Sequence, residues 1–211
     1  MEQQTQPQME SPPPSGSPDF NYAAFQAQAV SYLKAWPGQL IELFTKPDTA
    51  IAALPTQGKW ARPVVYGLAS GLLMGVISFL MFIRFAPSMV FSTVIADLIG
   101  ALVGVFLGGF VLNLICSVIA KDPQIYRSIL FVSLLGLLSP IGMIAGRLHP
   151  ILMYAPFAAF LYLLYKYVQV AAGATQKQAY IFIGILAGLA LLSGVGLLTT
   201  TYFLTRPMMR Y

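Results

Sequence analysis

Between Gly100 and Pro140 the chain carries an apolar run, the polar octet AKDPQIYR, and a second apolar run. Each apolar run has about the 20 helical residues needed to cross a hydrocarbon core at roughly 1.5 Å of rise per residue. The Asp122-Pro123 turn signal separates them, with the basic Lys121 and Arg127 on either side. This stretch predicts a transmembrane helical hairpin with its tip in the cytoplasm.

Composition demands the same environment for most of the chain. Hydrophobic residues make up 57% and charged residues 9%, and the mean hydropathy is +0.73. A soluble domain carries about 25% charged residues, so nearly all of Val64 to Leu204 is expected to face lipid or other apolar spans. The net charge of +5 comes from basic residues scattered singly at the ends of apolar runs. There they act as topology signals and interfacial anchors, and no nucleic-acid partner is expected. Cys116, the lone cysteine, lies in an apolar run and reads as a small buried hydrophobe. The polar start of the chain lacks the basic and apolar regions of a signal peptide, so the first span is expected to serve as its own insertion signal.

Residues 1–19 are rich in Gln, Pro, Ser and Glu and predict a disordered tail, since they have too little to bury to offset the entropy of ordering. From Tyr22 to Phe44, the residues Phe25, Ala29, Tyr32, Leu33, Trp36, Leu40, Ile41 and Phe44 recur at spacings of three and four, the period of one helix face. Pro37 either kinks this helix or begins a second one. The apolar face rests either on the membrane surface or on the cytosolic ends of the spans. Pro47 in TKPD marks a further helix start, and Lys59, Trp60 and Arg62 form an interfacial belt. Residues 20–62 thus read as a cytosolic or interfacial amphipathic segment. The remainder, 63–205, reads as five spans at about Val64–Ile83, Ile95–Ile119, Ser128–Ala145, Ile151–Val170 and Ala179–Phe203. The expected fold is an all-α integral membrane bundle of five transmembrane helices.

Basic residues set the orientation. With the N-terminus in the cytoplasm, that side holds Lys34, Lys46, Lys59, Arg62, Lys121, Arg127, Lys166 and Lys177, eight of the twelve Lys and Arg. The opposite side holds Arg84, Arg147, Arg206 and Arg210. The positive-inside rule then places the C-terminus outside, and the bias survives when Lys34 and Lys46 are set aside.

Glycines recur at intervals of four on one face of the first span (Gly67, Gly71, Gly75) and of the second (Gly100, Gly104, Gly108), with shorter versions at Gly142/Gly146 and Gly184/Gly188. Lipid tails are as apolar as leucine, so helices associate by close backbone packing, which small residues permit. The first and second spans are expected to touch along these glycine faces. A homodimer seam or sliding surface is the functional alternative. The fourth span carries Tyr154, Phe157, Phe160, Tyr162, Tyr165 and Tyr167, readable as interfacial belts or as an aromatic-lined ligand groove.

Intramembrane polar groups are the default functional candidates, because each needs a partner or water. Asp97, at the outer end of the second span, reads as an interfacial carboxylate paired with Arg84, or as an ion or proton site. Asn113 reads as an interhelical hydrogen-bonding residue worth about 0.6 kcal/mol, or as part of a polar pathway. Ser139-Pro140 interrupts the third span; proline leaves a carbonyl without its donor, which a side chain such as Ser139 can compensate.

Soluble-enzyme chemistry is missing. His149, the only histidine, stands in a short loop without a metal-ligating companion. LLSGVG around Ser193 is not a nucleophile elbow, and the glycines have helix-packing rather than phosphate-loop spacing. No catalytic residue, metal or cofactor is expected.

Three stretches together resemble one family: LFTKPDTAIAALPTQGKWARP before the first span, AKDPQIYRS leading into a span with a mid-helix SP, and AAGATQKQA between the last two spans. With five spans and an inner N-terminus, the chain resembles the Yip (Ypt-interacting protein) family in its prokaryotic form over about Leu43 to Leu204. The resemblance implies a multipass membrane protein without catalysis. Eukaryotic members bind Rab-type GTPases and shape or sort membranes. Their aspartate-leucine-tyrosine-glycine-proline motif is absent here, so the resemblance implies a bacterial member rather than a GTPase binder. By analogy, it implies that Lys121, Asp122, Arg127, Lys166 and Lys177 form a partner-facing cytosolic set; the alternative is that they are topology charges.

Two functions follow as expectations. One is a membrane-organising or protein-interaction scaffold whose partners are the bilayer and other membrane proteins or further copies of itself. The other is a transporter or channel subunit for a small solute or ion, motivated by Asp97, Asn113 and Pro140. The odd number of spans shows no inverted repeat, which disfavours transport.

Overall fold

The computed structural model describes residues 21–83, 87–119 and 124–188, which are helical with short connections and contain no strand. Helix α1 runs Tyr22–Thr45, with the Asn21 side chain accepting the Ala24 N–H at 3.0 Å as its N-cap. It continues through Pro37 rather than ending there. Helix α2, Pro47–Ala52, opens with Pro47 in its first turn, as the sequence predicts, and with Asp48 beside it, where a negative charge suits the helix dipole.

Helices α3 (Ala61–Phe82) and α4 (Pro87–Ile119) follow. Then come α5 (Ile125–Leu135) and α6 (Leu138–Leu148). A 3-10 turn at Pro150–Met153 leads into α7, Tyr154–Ala172. A last helical stretch begins at 176 and is described to 188.

Among the described residues, three stretches are long and apolar enough to cross a membrane: Ala61–Met81, Phe91–Ile119 and Ile125–Leu148. The expected fourth span corresponds to the 3-10 turn and α7, where Tyr162, Tyr165, Lys166, Tyr167 and Gln169 dilute the hydrophobic run. Most of the expected fifth span lies outside the described residues. The expected third span divides into α5 and α6 around residues 136–137. Large apolar side chains project outward along α3 and α4, including Leu72, Leu80, Phe91, Ile99, Leu107 and Val118, as a lipid-facing surface requires.

Helices α3 and α4 pack antiparallel. Cβ atoms built on Gly67, Gly71 and Gly75 of α3 meet Leu102, Leu98 and Val94 of α4 in turn. At Gly71 that Cβ lies 2.8 Å from the Leu98 Cα, so only glycine permits this backbone approach. The α4–α5 pair closes the same way at Gly109, where a Cβ falls 2.5 Å from the Ile129 Cα.

The expected contact between two glycine faces is therefore half right. The glycines of α3 do pack on α4, but against Leu98, Ala101, Leu102 and Val105. Gly100 and Gly104 meet nothing within 4 Å, and Gly108 meets only Val132. Residues 100, 104 and 108 share a stripe rotated away from the one α3 uses. The shorter glycine pairs are not alike. Gly184 and Gly188 are open, with nothing within 4 Å of a built Cβ. Gly142 meets Pro156 of α7, yet both it and Gly146, one turn further along α6, are only partly buried.

The buried core lies where α1 and α2 join the bundle. Trp36, Leu43, Ile51, Tyr66, Leu130, Phe131, Leu134, Leu163, Tyr167 and Val168 belong to it. The Trp60 ring stacks on Phe106 at 6.3 Å, so residues 107–119 of α4 run past the start of α3 by about 18 Å at the helical rise. The short α2 settles on α7, in the layer that this offset creates.

Candidate functional site

The α5–α6 break organises the interior. Pro140 has no N–H to give the Gly136 carbonyl four residues back. The Ser139 main-chain N–H donates to it at 3.2 Å, and Ser70 of α3 donates its hydroxyl at 2.7 Å. The compensating side chain comes from another helix rather than from Ser139. Two residues earlier, the Leu134 carbonyl in the last turn of α5 accepts the Trp36 indole N–H at 3.1 Å. Helix ends leave such carbonyls without intrahelical donors. The proline break thus supplies two attachment points, one used by a span and one by the N-terminal segment.

That segment is held on the bundle by further polar contacts. The Tyr66 hydroxyl donates to Gln39 at 3.0 Å and accepts from Arg62 Nε at 3.3 Å. Tyr66 also stacks on Trp36, with centroids 5.2 Å apart. Arg127 donates from Nη2 to the Ile51 carbonyl, and Lys166 pairs with Asp48 at 3.0 Å.

Arg127 and Lys166, expected to face a partner, are therefore engaged within the chain. They hold α2 by adding a cationic donor to the Ile51 carbonyl, which also accepts the Leu54 N–H at 3.2 Å, and to the Asp48 carboxylate. Lys177 is exposed, and Lys121 and Asp122 lie outside the described residues.

The apolar face expected on α1 divides in two. Tyr32, Trp36, Leu40 and Leu43 turn toward the bundle. Val30, Leu33, Ile41 and Phe44 stay exposed, on a stripe about a quarter-turn away at 100° per residue. Bundle contact and an outward apolar surface coexist on one helix.

Among the intramembrane candidates, Asp97 accepts a 2.6 Å hydrogen bond from Ser78 of α3; Arg84, its expected partner, lies outside the described residues. Asn113 has its Oδ1 buried without a hydrogen-bond partner among the described residues. Gln124 Oε1 and Arg127 Nε share that condition, at the same α4–α5 end. His149 accepts the Ile151 N–H through Nδ1 at 3.2 Å, an ordinary loop role. Tyr167 is buried, stacks on Phe131 at 4.2 Å and shares a 2.9 Å hydrogen bond with Ser128.

A cavity of about 710 Å³ lies between α4, α5, α6, α7 and the helix beginning at 176. Its wall includes Gly100, Gly104 and Gly108, with Ser70 and Asp97 from the first hairpin and Ser139 at the break. Phe157 and Phe160 of α7 also line it, so part of the aromatic run borders a part-open groove, with Phe157 still exposed.

Sequence reasoning missed Ser70, Gln39, Ile51 and Asp48. A hydroxyl on an apolar helix was the only signal available for Ser70, and nothing local distinguished the others.

Comparison with protein-family models, curated proteins and solved structures returned no match. The fold and the side-chain geometry therefore carry the functional argument alone.

Proposed function

We propose that this chain is a five-span protein of the bacterial cytoplasmic membrane, with its N-terminus inside and its C-terminus outside, and that it works as a non-catalytic scaffold that organises membrane or binds other membrane proteins. The Yip-type resemblance belongs to this reading. One observation carries it: α1 is fastened to the bundle by Trp36, Leu40 and Leu43 while Val30, Leu33, Ile41 and Phe44 remain outside. An apolar stripe fixed at the end of a bundle suits insertion into the interfacial layer, where burying each side chain adds affinity for lipid.

Reconstitution into liposomes tests the reading. The wild-type chain is expected to tubulate or cluster vesicles, as seen by electron microscopy. A Leu33→Glu/Ile41→Glu variant is expected to insert normally and lose that effect. Unchanged vesicle morphology with wild-type protein defeats the scaffold reading. Solute or ion flux that disappears in Asp97→Ala establishes transport instead.

A further inference from the structure

The hollow beside α4 is a part-open groove of about 710 Å³ with Gly100 and Gly104 exposed on its wall, and that wall follows α4 from Ala96 to Ile115. At the helical rise those residues extend about 28 Å, close to the roughly 30 Å depth of a hydrocarbon core. A small solute does not fill a space of that length, whereas an extended hydrocarbon chain occupies most of it.

Two further features describe the occupant. Gly100 and Gly104 have nothing within 4 Å of a built Cβ, so this stripe is not consumed by helix packing and the cavity reaches the α4 backbone. Asp97 is the one charged residue among the described residues of the wall. It stands near the Ala96 end, while Leu112 and Ile115 line the opposite end. An apolar channel with a carboxylate near one end complements an amphiphile with a cationic head and a long tail, because a carboxylate in low dielectric favours an opposite charge.

We propose that this cavity is a lipid site: an amine-headed lipid lays a hydrocarbon chain along the open glycine edge of α4 and places its ammonium group against Asp97. The site rests on the reading of the chain as a membrane protein and deepens it, since a bound lipid would fix the separation of α4 from α7. Large side chains at 100 or 104 would block the chain, which gives the glycines a role that packing against α3 does not.

The test uses the full chain, purified in detergent, stripped of lipid and offered phosphatidylethanolamine or phosphatidylglycerol with identical acyl chains. Native mass spectrometry reads the bound lipid. The wild type is expected to retain phosphatidylethanolamine in preference to phosphatidylglycerol. Gly104→Leu is expected to weaken retention of both by about tenfold or more, and Asp97→Asn to keep binding but lose the preference.

Equal retention of the two lipids by the wild type overturns the head-group assignment, and undiminished binding by Gly104→Leu overturns the site. Should Gly104→Leu fail to accumulate, Gly100→Leu is read in the same way. A photo-crosslinker at position 104 that captures residues 189–204 instead of lipid shows that the chain fills its own cavity, and the proposal falls. Carbonate extraction is measured in parallel: release of the wild type from membranes ends the membrane reading itself, whereas retention with no lipid preference ends only this proposal.

Discussion

The Trp36 indole nitrogen donates to the main-chain carbonyl of Leu134, 98 positions further along the chain and 3.1 Å away. This hydrogen bond joins the N-terminal segment to the interrupted span. It is buried, so removing the donor strands a carbonyl in an apolar setting. Trp36→Phe is expected to cost about 1 kcal/mol through that bond. Trp36→Ala is expected to cost about 3–5 kcal/mol, because a cavity opens beneath Tyr66 as well. Thermal unfolding in detergent measures both, and protease nicking within residues 21–57 is expected to accelerate in the same order.

Ser70 and Pro140 are coupled through the Gly136 carbonyl. Ser70→Ala removes a donor worth about 0.6–1 kcal/mol. In a Pro140→Ala background the new main-chain N–H serves that carbonyl, so the same substitution is expected to cost close to nothing. A double-mutant cycle reads the difference as the coupling energy. Equal costs in both backgrounds contradict the account of the break.

Neighbouring glycines of α4 are expected to behave in opposite ways. Gly109→Ala forces a Cβ to 2.5 Å from the Ile129 Cα and should destabilise by about 1–3 kcal/mol through overpacking. Gly104→Ala enters open space and should be neutral or stabilise by up to about 1 kcal/mol through helix propensity. Chemical or thermal unfolding of the two variants side by side checks the contrast.

The α3–α4 register makes a crosslinking prediction. A Cβ on Gly75 lies 3.7 Å from the Val94 Cβ, within the usual disulfide range of about 3.5–4.5 Å. With Cys116→Ala removing the native thiol, Gly75→Cys/Val94→Cys is expected to form a disulfide on mild oxidation, seen as a gel-mobility shift. A Gly71→Cys/Gly104→Cys pair is expected not to, because position 104 faces the cavity.

Charges that hold α2 should contribute unequally. The Lys166–Asp48 pair has its carboxylate side chain 63% exposed, so Lys166→Met is expected to change stability by no more than about 0.5 kcal/mol. Arg127→Met leaves the Ile51 carbonyl, beside a fully buried side chain, with the Leu54 N–H at 3.2 Å as its remaining donor. It is expected to cost about 1 kcal/mol through the lost charged hydrogen bond. Unfolding midpoints in detergent distinguish the two.

By itself the sequence determined the backbone and its polarity: long apolar runs with few charges form helices, and among the described residues Ala61–Met81, Phe91–Ile119 and Ile125–Leu148 are long and apolar enough to cross a membrane. It also located Pro47 as a helix start, the Ser139-Pro140 break and the glycine stripes. These are readable because helix formation and hydropathy are properties of neighbouring residues. Only the tertiary structure decided what each face meets. Whether Gly104 packs or opens, whether Trp36 or Ile41 turns to the bundle, and whether Ser70 or Ser139 serves Gly136 depend on how each helix is rotated and offset against the others. Rotation is set by many small contacts summed over distant segments, so a stripe of glycines reads the same in sequence whether a neighbouring helix or a cavity lies against it.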